Sequence, residues 1–312
     1  MMSIRLTLPM RALVAGIAVA IMLGTGMSVL DAAVPDSRPL PQPDGLILGA
    51  YDPSGDFVTD PDSRIEHLFL PWEDVDLSTL RAADTFAIEH GRTLLITIEP
   101  WTWSQDRNVT ADQLRDGIAA GRYDGNIAAI CSIVAKFQTP TTIRWGHEME
   151  DTTGRFTWAN WKPADYIAAY RHVIQTCRSY APNVAFMWSP KGEPSLVSYY
   201  PGDDVVDVIG LSVFGLQAYD RLKEDRDLSF GEIVATGYEA AQRFGKPIYV
   251  AELGYSGDEA YVRRWQSDVL KARAQFPLLK GVIYFNDRDM VAWPGDLGVP
   301  DWRVSSNIVA SN

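Results

Sequence analysis

The stretch TTIRWGHEMED, Thr141 to Asp151, decides how the chain is read. Thr141, Thr142 and Ile143 are β-branched and follow Pro140, the composition of a short buried strand. The strand then breaks into Arg144, Trp145, His147 and Glu148. Ionisable groups buried together at a strand end must be paired or lose several kcal/mol, so this run is poor core material and suits an active site. A second carboxylate of the same kind stands in PIYVAELGYSG, Pro247 to Gly257, where Glu252 follows an apolar strand. Two strand-end glutamates point to one pocket.

Apolar runs of strand length recur outward from that stretch: Leu46 to Tyr51, His67 to Trp72, Thr93 to Trp101, Val184 to Pro190, Val205 to Gly215, Pro247 to Gly254 and Leu279 to Asp287. With the Thr141 strand they make eight. Helical spacing lies between most of them. One helix stops at Gly91, Thr110 caps another, Asp124 opens a third, and others span Pro163 to Tyr180, Phe230 to Phe244 and Asp258 to Phe276. Between Tyr51 and His67 no helix is convincing, and a loop is expected. Eight apolar strands alternating with helices predict an α/β protein, a single (β/α)8 TIM barrel over residues 45–312, a length that fits the roughly 250 residues such barrels use. Its site belongs at the C-terminal ends of the strands.

Arg5 and Arg11 precede an uncharged run from Ala12 to Leu30, and Asp31, Ala32 and Ala33 offer a small-residue cleavage site. Residues 1–33 therefore read as a signal peptide, with an uncleaved signal anchor as the alternative because the run is close to bilayer-spanning length. Residues 34–44 hold four prolines and read as a Pro-rich tether. The expected location is secreted or periplasmic, with membrane attachment only if the leader stays uncleaved, and the expected state is a monomer. A formal charge of −12 and a pI near 4.8 argue against nucleic acid, and the lack of basic clusters favours a neutral substrate. Cys131 and Cys177, in helices on either side of the Thr141 strand, read first as two buried thiols, with a disulfide in an oxidising compartment as the alternative.

The strand ends are rich in aromatic residues. Trp72, Trp101, Trp145 and Trp188 close strands two to five, with Trp103, Trp158 and Trp161 in the loops behind. The C–H face of a sugar packs on an indole while its hydroxyls bond charged side chains, so a polysaccharide is the expected partner. Trp72, Trp101, Trp158 and Trp188, with Arg144 and His147, are the candidate binding residues. A pair of glutamates is the minimal apparatus for cleaving a glycoside: one stays protonated to release the leaving oxygen while the other attacks. Arg144 could pair with either of them or with Glu99. His147 has no second histidine at helical spacing, no Gly-x-Ser-x-Gly elbow surrounds any serine, and no phosphate or dinucleotide loop follows a strand. No metal and no cofactor are expected.

RWGHEM, Arg144 to Met149, resembles the Arg-x-x-His-Glu-Met segment at the end of the fourth strand in glycoside hydrolase family 26, and AELG, Ala251 to Gly254, resembles that family's seventh-strand end. GRYD before Cys131, YYPGDDVVDVIGLS and the late DWR are weaker points of similarity. The resemblance implies a retaining endo-glycosidase of the β-mannanase type, with Glu148 as acid/base, Glu252 as nucleophile and an aromatic and polar cleft that includes Phe214. Two departures fall beside the chemistry. Glu150 stands where the family usually has Asn, and Ser212 and Phe214 stand where the sixth strand usually ends Asp-x-Tyr. The missing tyrosine hydroxyl leaves mannan and β-glucan as alternative substrates. It also leaves a polysaccharide-binding or exopolysaccharide-assembly protein on a degenerate barrel as the rival function.

Overall fold

The structure, a computed structural model, describes residues 45–101 and 108–309. The expected signal peptide, tether and Trp103 lie outside the described residues. Eight strands, β1 Ile47–Tyr51, β2 Ser63–Pro71, β3 Thr93–Glu99, β4 Thr141–Trp145, β5 Ala185–Trp188, β6 Val208–Leu216, β7 Ile248–Ser256 and β8 Leu279–Phe285, pair in chain order. Every pairing is parallel, and β8 returns to β1 to close the barrel. The (β/α)8 barrel read from the sequence is the fold observed.

The outer layer holds helices α1 Thr79–Glu89, α2 Ala111–Ala119, α3 Asp124–Val134, α4 Pro163–Tyr180, α5 Gln217–Glu224, α6 Phe230–Ala241 and α7 Glu259–Gln275. Thr110 caps α2 as expected, and Ser229 caps α6. Each hydroxyl accepts from the backbone three residues on, while a Gln113 or Glu232 side chain returns the bond. Two crossovers lack an α-helix. The β1–β2 connection is a turn segment, held where Arg92 at the foot of β3 donates to the carbonyls of Phe57 and Val58. The β5–β6 connection is a 3-10 turn, Pro194–Tyr199. Helix α5 was not foreseen, because its apolar positions are few.

The cysteines correct the sequence reading. Cys131 of α3 and Cys177 of α4 form a disulfide, with 5.4 Å between their Cα atoms. Both helices turn an apolar face inward, but they also pack on each other across the outside of β4, so the two sulfurs meet in a helix–helix seam.

Side-chain alternation along the strands sorts core from site, since successive residues point to opposite faces of a strand. Ile65, Leu95, Met187, Ala251 and Ile283 form an apolar plug low in the barrel. Two residues further along their strands, His67, Thr97 and Ser189 follow on the same face, and all three are buried. Phe69 and Glu99 come next, at the mouth.

Candidate active site

Glu148 sits just past β4 on a backbone held from three sides. Its N–H donates to Ser189 O at 2.8 Å, Trp158 Nε1 donates to His147 O, and the Tyr166 hydroxyl of α4 donates to Gly146 O. Gly146 and Glu148 both adopt positive φ, 57° and 53°. Glycine tolerates this; for glutamate it costs on the order of 1–3 kcal/mol, a strain that the surrounding bonds maintain and that is typical of functional sites. Glu252 comes from β7, where the register with β6 shifts between Leu211 and Ser212 and again with β8 between Val250 and Leu253. Such irregularities re-aim a side chain, and here they set Glu252 opposite Ser212.

Arg144, fully buried, points inward from β4 and places Nη2 2.6 Å from Glu252 Oε1. Its Nη1 donates to Thr97 Oγ1, which is 2.8 Å from His67 Nε2. His147 Nε2 is 4.0 Å from the same Glu252 oxygen. Burial, with Arg144 beside them, pushes His67 and His147 well below the usual imidazole range, so both are neutral near pH 7. Glu148 is buried as well. Burial and the neighbouring Glu252 charge push its carboxyl up to about 7, against the opposing pull of the Ser212 hydroxyl, Arg155 and Arg144. Ser212 faces Glu148 without completing a well-aligned hydrogen bond. Two carboxyls thus share one pocket in unlike environments, one proton-holding and one paired with a cation.

The structure brings Arg144, His147, Glu148 and Glu252 together. Trp101 is half-buried and donates from Nε1 to Glu99 at 3.1 Å. Trp158 is fully buried, packed on His147 and stacked on Phe156. Phe214 is half-buried against Phe285 and Trp302. Trp72 and Trp188 are placed elsewhere: Trp72 stacks on Tyr123 under the helices, and Trp188 packs on Tyr200 and Phe244. Because Met187 points into the barrel, Trp188 must point out of it. Both tryptophans are core between strand and helix and present no face to a ligand in this arrangement.

Sequence reasoning passed over Glu99 as a site residue, along with Tyr51, Phe69 and Arg155. The period-2 pattern Leu95, Thr97, Glu99 could have found the first. No tyrosine occupies the end of β6, but Tyr51 from β1 faces the same carboxylates; burial and the charges of Asp287, Glu99 and Glu252 push its hydroxyl up. Glu150, in place of the usual Asn, accepts from the N–H groups of Gly192 and Glu193 and so fastens the loop after β5. Among the described residues no group of three His, Cys, Asp or Glu side chains is arranged to hold a metal ion.

A parallel eight-stranded barrel with two buried glutamates at the ends of β4 and β7 defines a class, the barrels that carry carboxylate chemistry at their C-terminal mouth. Residues 100–254, which include both glutamates, match the family described as Glycosyl hydrolase family 26. It is 30% identical over 162 residues to a beta-1,3-xylanase from a Vibrio species, covering 46% of this chain and 32% of that protein. It is 27% identical over 163 residues to a beta-1,3-xylanase from an Alcaligenes species, covering 49% and 31%. The chain thus spans about a third of the length of these curated relatives. Among solved structures the fold is similar to that of a GH26 beta-mannanase from Bacteroides ovatus, with a TM-score of 0.58 at 19% identity over 82% of this chain and 86% of the other. It is also similar to GH26C from a Muricauda species, with a TM-score of 0.61 at 14% identity over 78% and 79%.

Proposed function

We propose that the protein is an exported retaining endo-glycosidase that hydrolyses a β-linked polysaccharide by double displacement. The unlike surroundings of the two glutamates in one pocket carry this reading: Glu252 lies 2.6 Å from the Arg144 guanidinium, whereas burial and the Glu252 charge push the Glu148 carboxyl up. Glu252, paired with Arg144, attacks the anomeric carbon while Glu148 gives its proton to the departing glycosidic oxygen; the C–O bond breaks and a covalent glycosyl-enzyme remains. Glu148, now a carboxylate, takes a proton from water, the hydroxide attacks the same carbon, and Glu252 leaves, so two inversions give net retention. The neutral His147 and the rings of Trp101, Phe156 and Phe214 offer the sugar both hydrogen bonding and apolar faces. β-1,3-Xylan is the first substrate to try, ahead of β-mannan and β-glucan, a choice supported by the likeness to the two xylanases. The leader-like pattern of residues 1–33 and a disulfide between α3 and α4 support export to an oxidising compartment.

The test is reducing-end release from β-1,3-xylan, β-1,4-mannan, β-1,4-xylan and mixed-linkage glucan, with proton NMR of the first product. Release from at least one polymer with the β-anomer formed first is expected. The α-anomer would overturn the double displacement, and binding without release would favour a polysaccharide-binding protein.

A further inference from the structure

The site contains a third carboxyl that this mechanism does not use. Glu99 ends β3, is 6% exposed, and lies beside Arg144 and Glu252. Its Oε2 accepts from Trp101 Nε1. Its Oε1 has no hydrogen-bond partner among the described residues and retains access to solvent. A carboxyl tethered by one oxygen, with the other open at the mouth of a catalytic barrel, is placed for a ligand rather than for the core.

The charges around it fix its form. Arg144 is paired with Glu252, and Arg155 lies 3.0 Å from Asp289 of the loop after β8. The other titratable groups facing the site are Tyr51 from β1, His67 from β2, His147 and Glu148 from β4 and Asp287 after β8. The tyrosine is a neutral phenol, the histidines are neutral, and Glu148 holds its proton into the neutral range. Both cations are therefore already matched. A second buried anion at Glu99 would face Glu252 with no cation of its own, and buried like charges cannot both ionise freely. Burial, then the Glu252 charge, push Glu99 up to about 8 in accord with this count, against Arg144, the Trp101 bond and Arg155.

We propose that Glu99 is a specificity-determining residue that binds as a neutral acid, its Oε1–H donating to a hydroxyl oxygen of the sugar seated over the two glutamates while Trp101 fixes Oε2. This rests on the glycosidase reading above. A neutral donor there selects a sugar that turns an acceptor toward β3 and lies flat against the half-buried Trp101. It also makes sugar binding fail at alkaline pH independently of the proton on Glu148.

Binding is separated from turnover in a Glu148→Gln background, titrated calorimetrically from pH 6 to 9. The probe is the β-1,3-xylotetraose or β-1,4-mannotetraose that matches the polymer cleaved by the unaltered protein. With Glu99 present, Kd should hold steady up to about pH 8 and then weaken toward tenfold per pH unit. Adding Glu99→Gln keeps an acceptor for Trp101 and a donor for the sugar. Kd should then stay within about threefold at pH 6 and lose its alkaline rise. Adding Glu99→Ala should weaken binding by about tenfold at pH 6, with melting curves checking that each variant is folded. The same alkaline rise in the glutamine variant, or full affinity in the alanine variant, overturns the assignment while leaving the glycosidase reading intact. No cleavage of any polymer by the unaltered protein overturns that reading, and this one with it.

Discussion

In the proposed double displacement, Glu148 and Glu252 are one residue type given two tasks by their neighbours. Arg144 stands 2.6 Å from Glu252, whereas burial and then the Glu252 charge push the Glu148 carboxyl up to about 7. As the acid of the first step Glu148 must be protonated, so kcat/KM should fall as pH rises through about 7, and a pH–rate profile with no alkaline limb near that value would remove it from the role. Alanine variants separate the two glutamates further. Glu148→Ala should lower turnover of a polymer by about 10²–10⁴-fold, yet on an aryl glycoside that needs no proton it should still form the glycosyl-enzyme, and azide should release a β-glycosyl azide. Glu252→Ala forms no such intermediate, and azide in the vacated space should give the α-azide. Products of the same configuration from both variants would reverse or cancel the assignment.

Among the elements, the loop after β4 does more than carry Glu148. Strands β4 and β8 are four places apart in a ring of eight, hence opposite each other, and the Arg155–Asp289 bridge joins their loops across the mouth. Arg155 also lowers the carboxyl of Glu148. Arg155→Met should therefore shift the alkaline limb of kcat/KM to higher pH, because the protonated acid loses a competitor; a limb that stays in place or moves down would show that this cation does not act on Glu148. Helices α3 and α4 give a separate expectation. Their disulfide closes a long segment, 46 residues in separation, and replacing both cysteines by alanine should cost roughly 2–4 kcal/mol. The urea midpoint should drop while the m-value grows, since the denatured chain expands once the cross-link is gone. These helices also show where sequence reading stops. Ile127, Ile130, Cys131 and Val134 mark one buried face of α3, and Val173, Ile174 and Cys177 mark one of α4. Helical period shows that a face is buried, but not whether it meets a strand or another helix. For Cys131 and Cys177 that choice decided between two thiols and a bond.

At the scale of the whole molecule, the barrel was legible because eight apolar runs and their intervening helices repeat a simple pattern, and the site was half legible for a related reason. Arg144, His147, Glu148 and Glu252 lie in short segments whose composition is wrong for a core. Trp72 and Trp188 looked similar at strand ends, yet the alternation that sends Met187 inward sends Trp188 out, and the layer packed around the barrel makes the outside of a strand as dry as the inside. The same enclosure has a thermodynamic consequence. A glutamate whose ordinary value is 4.5 is pushed up to about 7 at Glu148 and about 8 at Glu99, so between those limits the folded protein holds protons that the unfolded chain has released. Stability linked to these two groups is intact below about 4.5 and is lost as pH rises toward 8. Glu148→Gln and Glu99→Gln remove the titration while preserving shape. Each should be more stable than the unaltered protein at pH 8, by a few kcal/mol at most, with an advantage that shrinks toward pH 5. The double variant should gain less than the sum, since both groups respond to the same Glu252 charge. Urea unfolding of the four proteins at pH 5 and pH 8 measures this directly. Repulsion from the formal charge of −12 acts on all of them and largely cancels in the differences, so a stability gap that does not change with pH would mean that neither carboxyl holds its proton in the folded barrel.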